Sequence, residues 1–176
     1  MVLIQSGVER VKIEPLAVAL GVTRGSFYAH FRSRQDLLAA LIDDWKVTNT
    51  RALQEAIEDN AGDGRNQLKA VVRVWIEESS YSPAYDTAMR DWARTAKAVA
   101  KTVMAVDEFR ISLIKGAFEA LGYRDPDSQV RANVMYFHQV GYYAMRVKQT
   151  RSVRFSLAPT YLSILSGQNC LEEVLS

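Results

Sequence analysis

The sequence predicts an all-α fold in which a small helical head is joined by a long helix to a larger helical body. Apolar residues recur at helical spacing along most of the chain, and the alternation typical of strands is rare. Only four prolines and nine glycines interrupt these helical periods. We expect residues 1–46 to form the head and residues 47–176 to form the body.

The composition is that of an ordinary globular protein. The chain has 176 residues, of which 48% are hydrophobic and 24% charged, so it is long enough to bury a sizeable core. A net charge of +2 does not by itself indicate a charged partner. The only cysteine, Cys170, cannot form an internal disulfide, and we expect it to be inert in the tail. No apolar run approaches the ~18 residues that a membrane span needs, and no signal peptide is recognisable, so we expect a cytoplasmic protein without a membrane partner.

Three helices are predicted in the head. The first spans residues 14–20, because Pro15 is favourable in a first turn and Gly21 ends the helical period. Thr23 is a suitable N-cap for a second short helix over residues 24–30. Ser33 is a suitable N-cap for a third, with Asp36 in its first turn, and this helix is expected to run to about residue 60, roughly 40 Å.

The body is predicted to contain five further helices. Apolar periodicity places them at residues 66–80, 83–96, 98–121, 126–151 and 157–167. The segments between them carry glycine, proline and polar residues, which are typical of loops. Residues 150–156, "TRSVRFS", are interpreted as one of these loops.

Positive charge is concentrated in the head. Residues 15–35 contain three arginines and no acid, whereas residues 43–63 contain six acids and two basic residues. Two short helices joined by a tight turn, the second of them basic, are typical of a helix-turn-helix whose second helix enters the major groove of DNA. Side chains near its N-terminus reach bases or phosphates, and the helix N-terminus itself attracts phosphate. The candidate DNA-binding residues are Thr23, Arg24, Gly25, Ser26, Tyr28, His30 and Arg34.

The alternative is that this segment is only a core with a solvated face. For Phe27 and Phe31 we adopt that interpretation, because they lie one helical turn apart and are apolar. A solvated face normally mixes both signs of charge, so the arginine-rich surface favours nucleic-acid binding.

The stretch "LAVALGVTRGSFYAHFRSRQDLL" resembles the helix-turn-helix signature of the tetracycline-repressor (TetR) family of bacterial transcriptional regulators. Arg34 stands where the family usually has lysine, and Phe27 where it usually has leucine. "MRDWART", "VDEFR" and "ALGY" further along resemble one branch of the family. The positions that match the signature directly are Leu16, Ala17, Gly21, Val22, Gly25, Tyr28, His30, Phe31, Ser33, Leu37 and Leu38.

The resemblance implies a repressor that a small molecule releases from its operator. It also implies a body that forms a homodimer through its last two long helices and holds a ligand pocket between the others. Family members carry a full first helix where this chain has only "MVLIQS" before Gly7. Since that helix would cover Leu20 and Phe27, a chain that truly starts at Met1 is expected to leave both residues uncovered; either the native N-terminus lies upstream or this head is impaired.

Two features of the body bear on these implications. The helix predicted over residues 126–151 is apolar almost all round, which is typical of a helix buried on one side by its own body and on the other by a second copy. A central helix of a monomeric bundle is the alternative. Six large or amphipathic residues are candidates to line a pocket for an apolar or aromatic molecule, although each is also an ordinary core residue: Trp75, Met89, Trp92, Met104, Tyr136 and His138.

An enzyme is the main alternative class. His30 and His138 are the only histidines, and neither has a metal-ligand partner at helical spacing. No glycine-rich phosphate loop follows a strand, so we predict no enzymatic activity, no metal and no cofactor. A third possibility is a TetR-like dimer that has lost DNA binding and acts as a ligand- or protein-binding module.

Overall fold

The computed structural model describes residues 1–167, and Cys170 lies outside them. Within this range the chain forms α-helices and one short 3-10 helix, Val8–Arg10, with no strand. The α-helices are α1 Val2–Ser6, α2 Ile13–Ala19, α3 Arg24–His30, α4 Arg34–Glu58, α5 Gly64–Glu77, α6 Pro83–Ala93, α7 Lys97–Ala120, α8 Asp127–Ala144 and α9 Arg151–Ser166. The predicted all-α fold is confirmed.

The chain divides into two compact units. The first comprises Met1–Val47 and Ala84–Met104, and the second comprises Thr48–Pro83 and the described residues from Ala105 onward. Residues 84–104 therefore group with the N-terminal segment, whereas the sequence predicts them as part of the body. Helices α4 and α7 each begin in the first unit and end in the second.

The first unit has its own buried residues. Trp45 of α4 is fully buried, and its indole Nε1 donates to the Asp86 carboxylate at 3.1 Å. The Tyr85 hydroxyl donates to the Leu41 carbonyl oxygen at 2.5 Å, so α6 is hydrogen-bonded to α4 at two points. Apolar side chains complete the interior of this unit, among them Leu3, Val11, Ile13, Ala17, Phe27, Leu37, Leu38, Met89 and Trp92.

The second unit is built around a larger apolar core. α5 begins against the end of α7, where a Cβ atom at Gly64 would lie 2.3 Å from the Ala117 carbonyl oxygen, so only glycine fits there. The core consists of Leu53, Ala56, Leu68, Val71, Trp75, Tyr81, Ile114, Ala117, Phe118, Ala132, Met135, Tyr136 and Leu162.

Two arginines satisfy the carbonyl groups that helix ends leave unpaired. Arg154 of α9 donates from Nη2 to the Trp75 carbonyl oxygen near the end of α5 at 2.8 Å. Arg131 of α8 donates to the Leu165 carbonyl oxygen near the end of α9. Basic side chains at helix C-termini also interact favourably with the helix dipole. The two contacts hold α9 against α5 and against α8.

The boundaries of α8 and α9 differ from the prediction. α8 ends at Ala144 and α9 begins at Arg151, so the predicted loop over residues 150–156 is wrong. Thr150 is the N-cap of α9, with its hydroxyl accepting from the Val153 N–H at 3.3 Å. The capping threonine starts a helix at the point where the sequence pattern predicts a loop.

None of the helices among residues 1–167 is long and apolar enough to cross a membrane. The same residues contain no cluster of three or more histidine, cysteine or acidic side chains with the geometry to hold a metal ion.

Candidate functional site

The turn between α2 and α3 has the geometry of a Schellman motif. Gly21 adopts a φ of 66°, a left-handed conformation that glycine accommodates without strain. Its N–H donates to the Val18 carbonyl oxygen at 3.1 Å, and the Val22 N–H donates to the Ala17 carbonyl oxygen at 3.0 Å. This pair of bonds ends α2 and turns the chain at once into α3.

α3 begins where the sequence predicts. The Thr23 hydroxyl accepts a hydrogen bond from the Ser26 N–H at 3.0 Å, and α3 spans Arg24–His30. Phe27 is the buried residue of this helix, and its ring packs on Phe31 with centroids 5.3 Å apart. Because Phe27 anchors one face, the other residues of α3 are left facing solvent.

The candidate DNA-binding residues other than Arg34 are exposed. Arg24 forms an exposed ion pair with Glu14 of α2 at 3.0 Å, and its guanidinium lies 5.6 Å from the centre of the Tyr28 ring. A solvent-exposed ion pair contributes little free energy, so Arg24 can leave Glu14 and bind an anion that attracts it more strongly. The exposed candidates are Thr23, Arg24, Gly25, Ser26, Tyr28 and His30.

Arg34 has a different environment. Its Nε donates to the Val11 carbonyl oxygen at 2.7 Å and its Nη2 to the Val8 carbonyl oxygen at 2.8 Å. Both carbonyls lie in the segment between α1 and α2, so the guanidinium holds that segment against the start of α4. The geometry gives Arg34 a positioning role for the helix-turn-helix.

The two residues expected to be uncovered differ from each other. Leu20 is 67% exposed at the end of α2, but Phe27 is only 5% exposed. The expectation for Phe27 is therefore wrong, because the ring points into the interior of the first unit together with Leu3, Ala17 and Leu37.

A pocket lies in the second unit among α5, α8 and α9. It encloses about 60 Å³, is partly open to solvent, and is lined by apolar and aromatic side chains with a few polar groups. Its lining residues are Val72, Trp75, Ile76, Met135, His138, Gln139, Tyr142, Gln149, Arg154, Leu157, Ala158, Tyr161, Leu162 and Leu165.

Three aromatic rings in the lining of this pocket lie close to one another. The His138 ring lies 4.7 Å from the Tyr161 ring and 6.5 Å from the Tyr142 ring, measured between centroids. Partial burial, followed by the positive charge of Arg154, lowers the pKa of His138 below its ordinary value. The shift favours the neutral form of the imidazole.

The charge of Arg154 is balanced inside the protein. Its Nη1 contacts the Glu78 carboxylate at 2.6 Å, and its guanidinium lies 4.8 Å from the centre of the Tyr142 ring. Burial raises the pKa of the neighbouring Tyr143 hydroxyl, which donates to the Trp75 carbonyl oxygen at 2.8 Å. The pocket thus has polar atoms in its wall but little net charge.

Gln139 contributes a buried polar side chain to the pocket. It is 8% exposed, and its Nε2 has no hydrogen-bond partner among residues 1–167. A buried amide group without a partner is costly, so such atoms in native proteins call for a physical reason. Sequence reasoning missed Gln139, Arg154 and Tyr161, because only folding brings α8 and α9 together.

Two of the six predicted ligand residues line this pocket. Trp75 and His138 line the pocket. Met89, Trp92 and Met104 belong to the first compact unit, and Met104 is exposed.

Tyr136 packs behind Trp75, with ring centroids 6.5 Å apart, and is not a lining residue of the pocket. It takes part in a buried polar network, in which its hydroxyl donates to Asp107 at 2.6 Å and accepts from Arg110 at 3.3 Å. Arg110 is fully buried and also donates to the Thr50 hydroxyl at 3.2 Å.

Helices α8 and α9 also present exposed apolar side chains. On α8 these residues recur at spacings of four and three, which puts them on one face of the helix. Scattered apolar residues on a surface are normal, whereas a continuous face of them marks an interaction site. The exposed apolar residues are Val130, Val134 and Phe137 on α8, and Val153, Leu157, Tyr161 and Ile164 on α9.

Known proteins resemble this chain at its N-terminus and in its fold. Residues 1–41 match the N-terminal domain of the family described as "Bacterial regulatory proteins, tetR family". The crystal structure of the superantigen PfiT is similar with a TM-score of 0.61 and 20% identity, covering 88% of this chain and 87% of that one. At this identity the likeness concerns the fold alone. No curated protein matches the chain.

The matched segment contains the Schellman turn after α2, the Thr23 cap and the exposed face of α3. The geometry and the family match therefore describe the same helix-turn-helix. The described part of the chain is thus all-helical, and its N-terminal helix-turn-helix is similar in sequence to the N-terminal domain of the tetR family of bacterial regulatory proteins.

Proposed function

We propose that the protein is a homodimeric transcriptional repressor that binds operator DNA through α3 and releases it when a small molecule binds in the second unit. The observation that carries DNA binding is α3 itself, capped by Thr23, anchored by Phe27 and exposed on the face that includes Arg24 and Ser26. A domain from a family of regulators also supports a protein that is not an enzyme. DNA binding in turn favours a cytoplasmic location.

In this proposal the six exposed candidate residues face the major groove or its phosphates: Thr23, Arg24, Gly25, Ser26, Tyr28 and His30. Tyr28 supplies a hydroxyl donor for a phosphate. Gly25 lies at an open surface, since a Cβ there would meet nothing nearer than 3.9 Å within the protein. Without a side chain at this position, the backbone can approach the DNA closely. Arg34 acts indirectly by holding the segment before α2.

The dimer is proposed to form through α8 and α9. Their exposed apolar residues support this, because a two-fold interface uses the same patch on both copies. Gly141, in the last turns of α8, allows a second helix to approach, since a Cβ there would meet no atom within 4 Å.

We propose that α4 transmits the effect of ligand binding to the DNA-binding helix α3. Helix α4 has 25 residues, spans about 37 Å, and continues without interruption from the first unit into the second. A shift of α4 in each copy changes the distance between the two α3 helices. That distance must be about 34–36 Å for them to enter successive major grooves.

The DNA-binding part is tested by selecting duplexes from a random-sequence pool with the purified protein. We expect the wild type to enrich a sequence with two-fold symmetry, and Arg24→Ala to lose most of this enrichment. Lys101→Ala is the matched control, because it removes an exposed positive charge of the first unit outside α3. If the wild type enriches no sequence, the alternative of a ligand- or protein-binding dimer without DNA affinity replaces this proposal.

A further inference from the structure

The pocket among α5, α8 and α9 has features that specify the chemistry of its ligand. Most of its lining is apolar, and the His138, Tyr142 and Tyr161 rings stand close together in it. Aromatic rings attract a flat ring at offset or edge-on angles. The lining therefore favours a flat, largely apolar molecule.

The pocket does not favour a charged ligand. The Arg154 guanidinium is already paired with Glu78 at 2.6 Å and bonded to the Trp75 carbonyl oxygen. A carboxylate ligand would have to compete with that internal ion pair. A cation would face the guanidinium, and the described residues that line the pocket include no acid to balance it. Burying an unpaired charge is far more costly than burying a neutral polar group.

One hydrogen-bond donor in this wall is unused. Gln139 Nε2 is buried, belongs to a residue that lines the pocket, and has no partner among the described residues. An acceptor atom on a ligand would satisfy this donor and remove the cost of leaving it unpaired. The chemistry that fits is a carbonyl oxygen on a flat ring.

We propose that this pocket binds a neutral aromatic compound bearing a carbonyl group, whose oxygen accepts from Gln139 Nε2 while its ring packs against His138 and Tyr161. The proposal rests on the proposed function in taking this pocket as the effector site, and it specifies the ligand class. Leu157 and Tyr161 also belong to the exposed apolar set of α9, so the pocket adjoins the proposed dimer face.

The test measures the binding of three probes of similar shape to the full chain by titration in NMR, without DNA. Acetophenone carries the carbonyl acceptor, α-methylstyrene replaces the oxygen by a CH₂ group, and benzoate carries a negative charge. We expect acetophenone to bind about 5- to 10-fold more tightly than α-methylstyrene, as one satisfied hydrogen bond allows. We expect benzoate to bind more weakly than acetophenone.

Variants assign the effect to one atom. Gln139→Leu should lower the affinity for acetophenone to that for α-methylstyrene, while the affinity for α-methylstyrene stays the same or rises. Gln129→Leu, the same change ten residues earlier on α8 and outside the pocket lining, should leave all three affinities unchanged. A merely structural role of Gln139 would weaken both neutral probes equally.

Three outcomes would overturn the proposal: no binding of acetophenone, tighter binding of benzoate than of acetophenone, or an equal loss of both neutral probes in Gln139→Leu. None of these measurements involves DNA. If acetophenone binds as expected but leaves the affinity for DNA unchanged, the proposed ligand class is supported and the proposal that this ligand releases the repressor from DNA is refuted. If acetophenone does not bind while the duplex selection succeeds, the DNA-binding regulator stands and the ligand class fails.

Discussion

The Arg34 guanidinium donates to the backbone carbonyl oxygen of Val8 at 2.8 Å, across 26 positions of sequence. A second bond, to Val11 at 2.7 Å, makes this side chain a clamp on the segment that precedes α2. The residue that the sequence assigned to DNA contact is thus placed to hold the helix-turn-helix together.

The first prediction concerns that clamp. Arg34→Ala removes two charge-assisted hydrogen bonds and should lower the free energy of local opening in residues 1–47 by about 1–3 kcal/mol. Amide hydrogen exchange measures this opening. Arg32→Ala is the control, because the Arg32 side chain is exposed and should give little change. Equal effects of the two substitutions would refute the clamp.

The second prediction concerns the ion pair between Arg24 and Glu14. Glu14→Gln frees the guanidinium and removes a negative charge next to α3, so we expect tighter DNA binding. Arg24→Ala should weaken binding and reduce the slope of log K against log salt by about one unit. Asp91→Asn neutralises one acid of an exposed pair with Arg94 elsewhere in the first unit and is the charge-matched control. An unchanged salt slope in folded Arg24→Ala would remove Arg24 from the interface.

The third prediction concerns assembly. Phe137→Glu places a charge within the exposed apolar face of α8, and two-fold symmetry would repeat it on the second copy. We expect the wild type to be a dimer by light scattering and Phe137→Glu to be a monomer. Phe109→Glu, at an exposed phenylalanine of α7, should remain a dimer. A wild type that is monomeric at micromolar concentration would exclude this interface.

The fourth prediction concerns acid stability at the connection from α7 to α8. The Lys115 ammonium donates to the Asp125 carboxylate at 2.9 Å and the Ser128 hydroxyl donates to it at 3.0 Å, and these bonds lower the pKa of Asp125. A lowered folded-state pKa means that the stabilisation is present above the ordinary value of 3.8 and is lost as the pH falls through the folded-state pKa.

Denaturation of the wild type and of Asp125→Asn across pH 2–6 measures this contribution. We expect the wild type to be more stable than the variant near pH 6 and the difference to shrink toward pH 2. A difference that stays constant over this range would show that the carboxylate charge plays no part.

The fifth prediction concerns coupling between the two proposed sites. If acetophenone releases DNA, linkage requires operator DNA to weaken acetophenone binding by the same factor. A coupling of about 1–3 kcal/mol corresponds to roughly a 5- to 150-fold change. Titrating acetophenone with and without a selected duplex measures the factor, and equal affinities would exclude the release mechanism for this compound.

Local signals along the sequence were enough to predict the helix-turn-helix. Gly21, the Thr23 cap and the apolar period around Phe27 involve residues that are close in sequence, and the observed α3 has the predicted bounds. The cap of α4 is equally local, since the Asp36 N–H donates to the Ser33 hydroxyl at 3.1 Å. Such signals depend on backbone geometry within a single turn, so the sequence alone contains them.

The pocket could not be predicted from local sequence signals. Trp75, Gln139 and Tyr161 come from three helices, and nothing local distinguishes a tryptophan that lines a cavity from one that fills a core. The same holds for Tyr136, whose hydroxyl is committed to a buried network with Asp107 and Arg110.

The sequence by itself determined the helical class of the protein, the helix-turn-helix and its exposed basic face, because periodicity and capping act over a few residues. Only the tertiary structure decided that Arg34 is a clamp and that Gln139 Nε2 is a buried donor without a partner among residues 1–167. Those roles depend on which distant atoms lie within about 3 Å of a side chain, and packing between helices sets that distance.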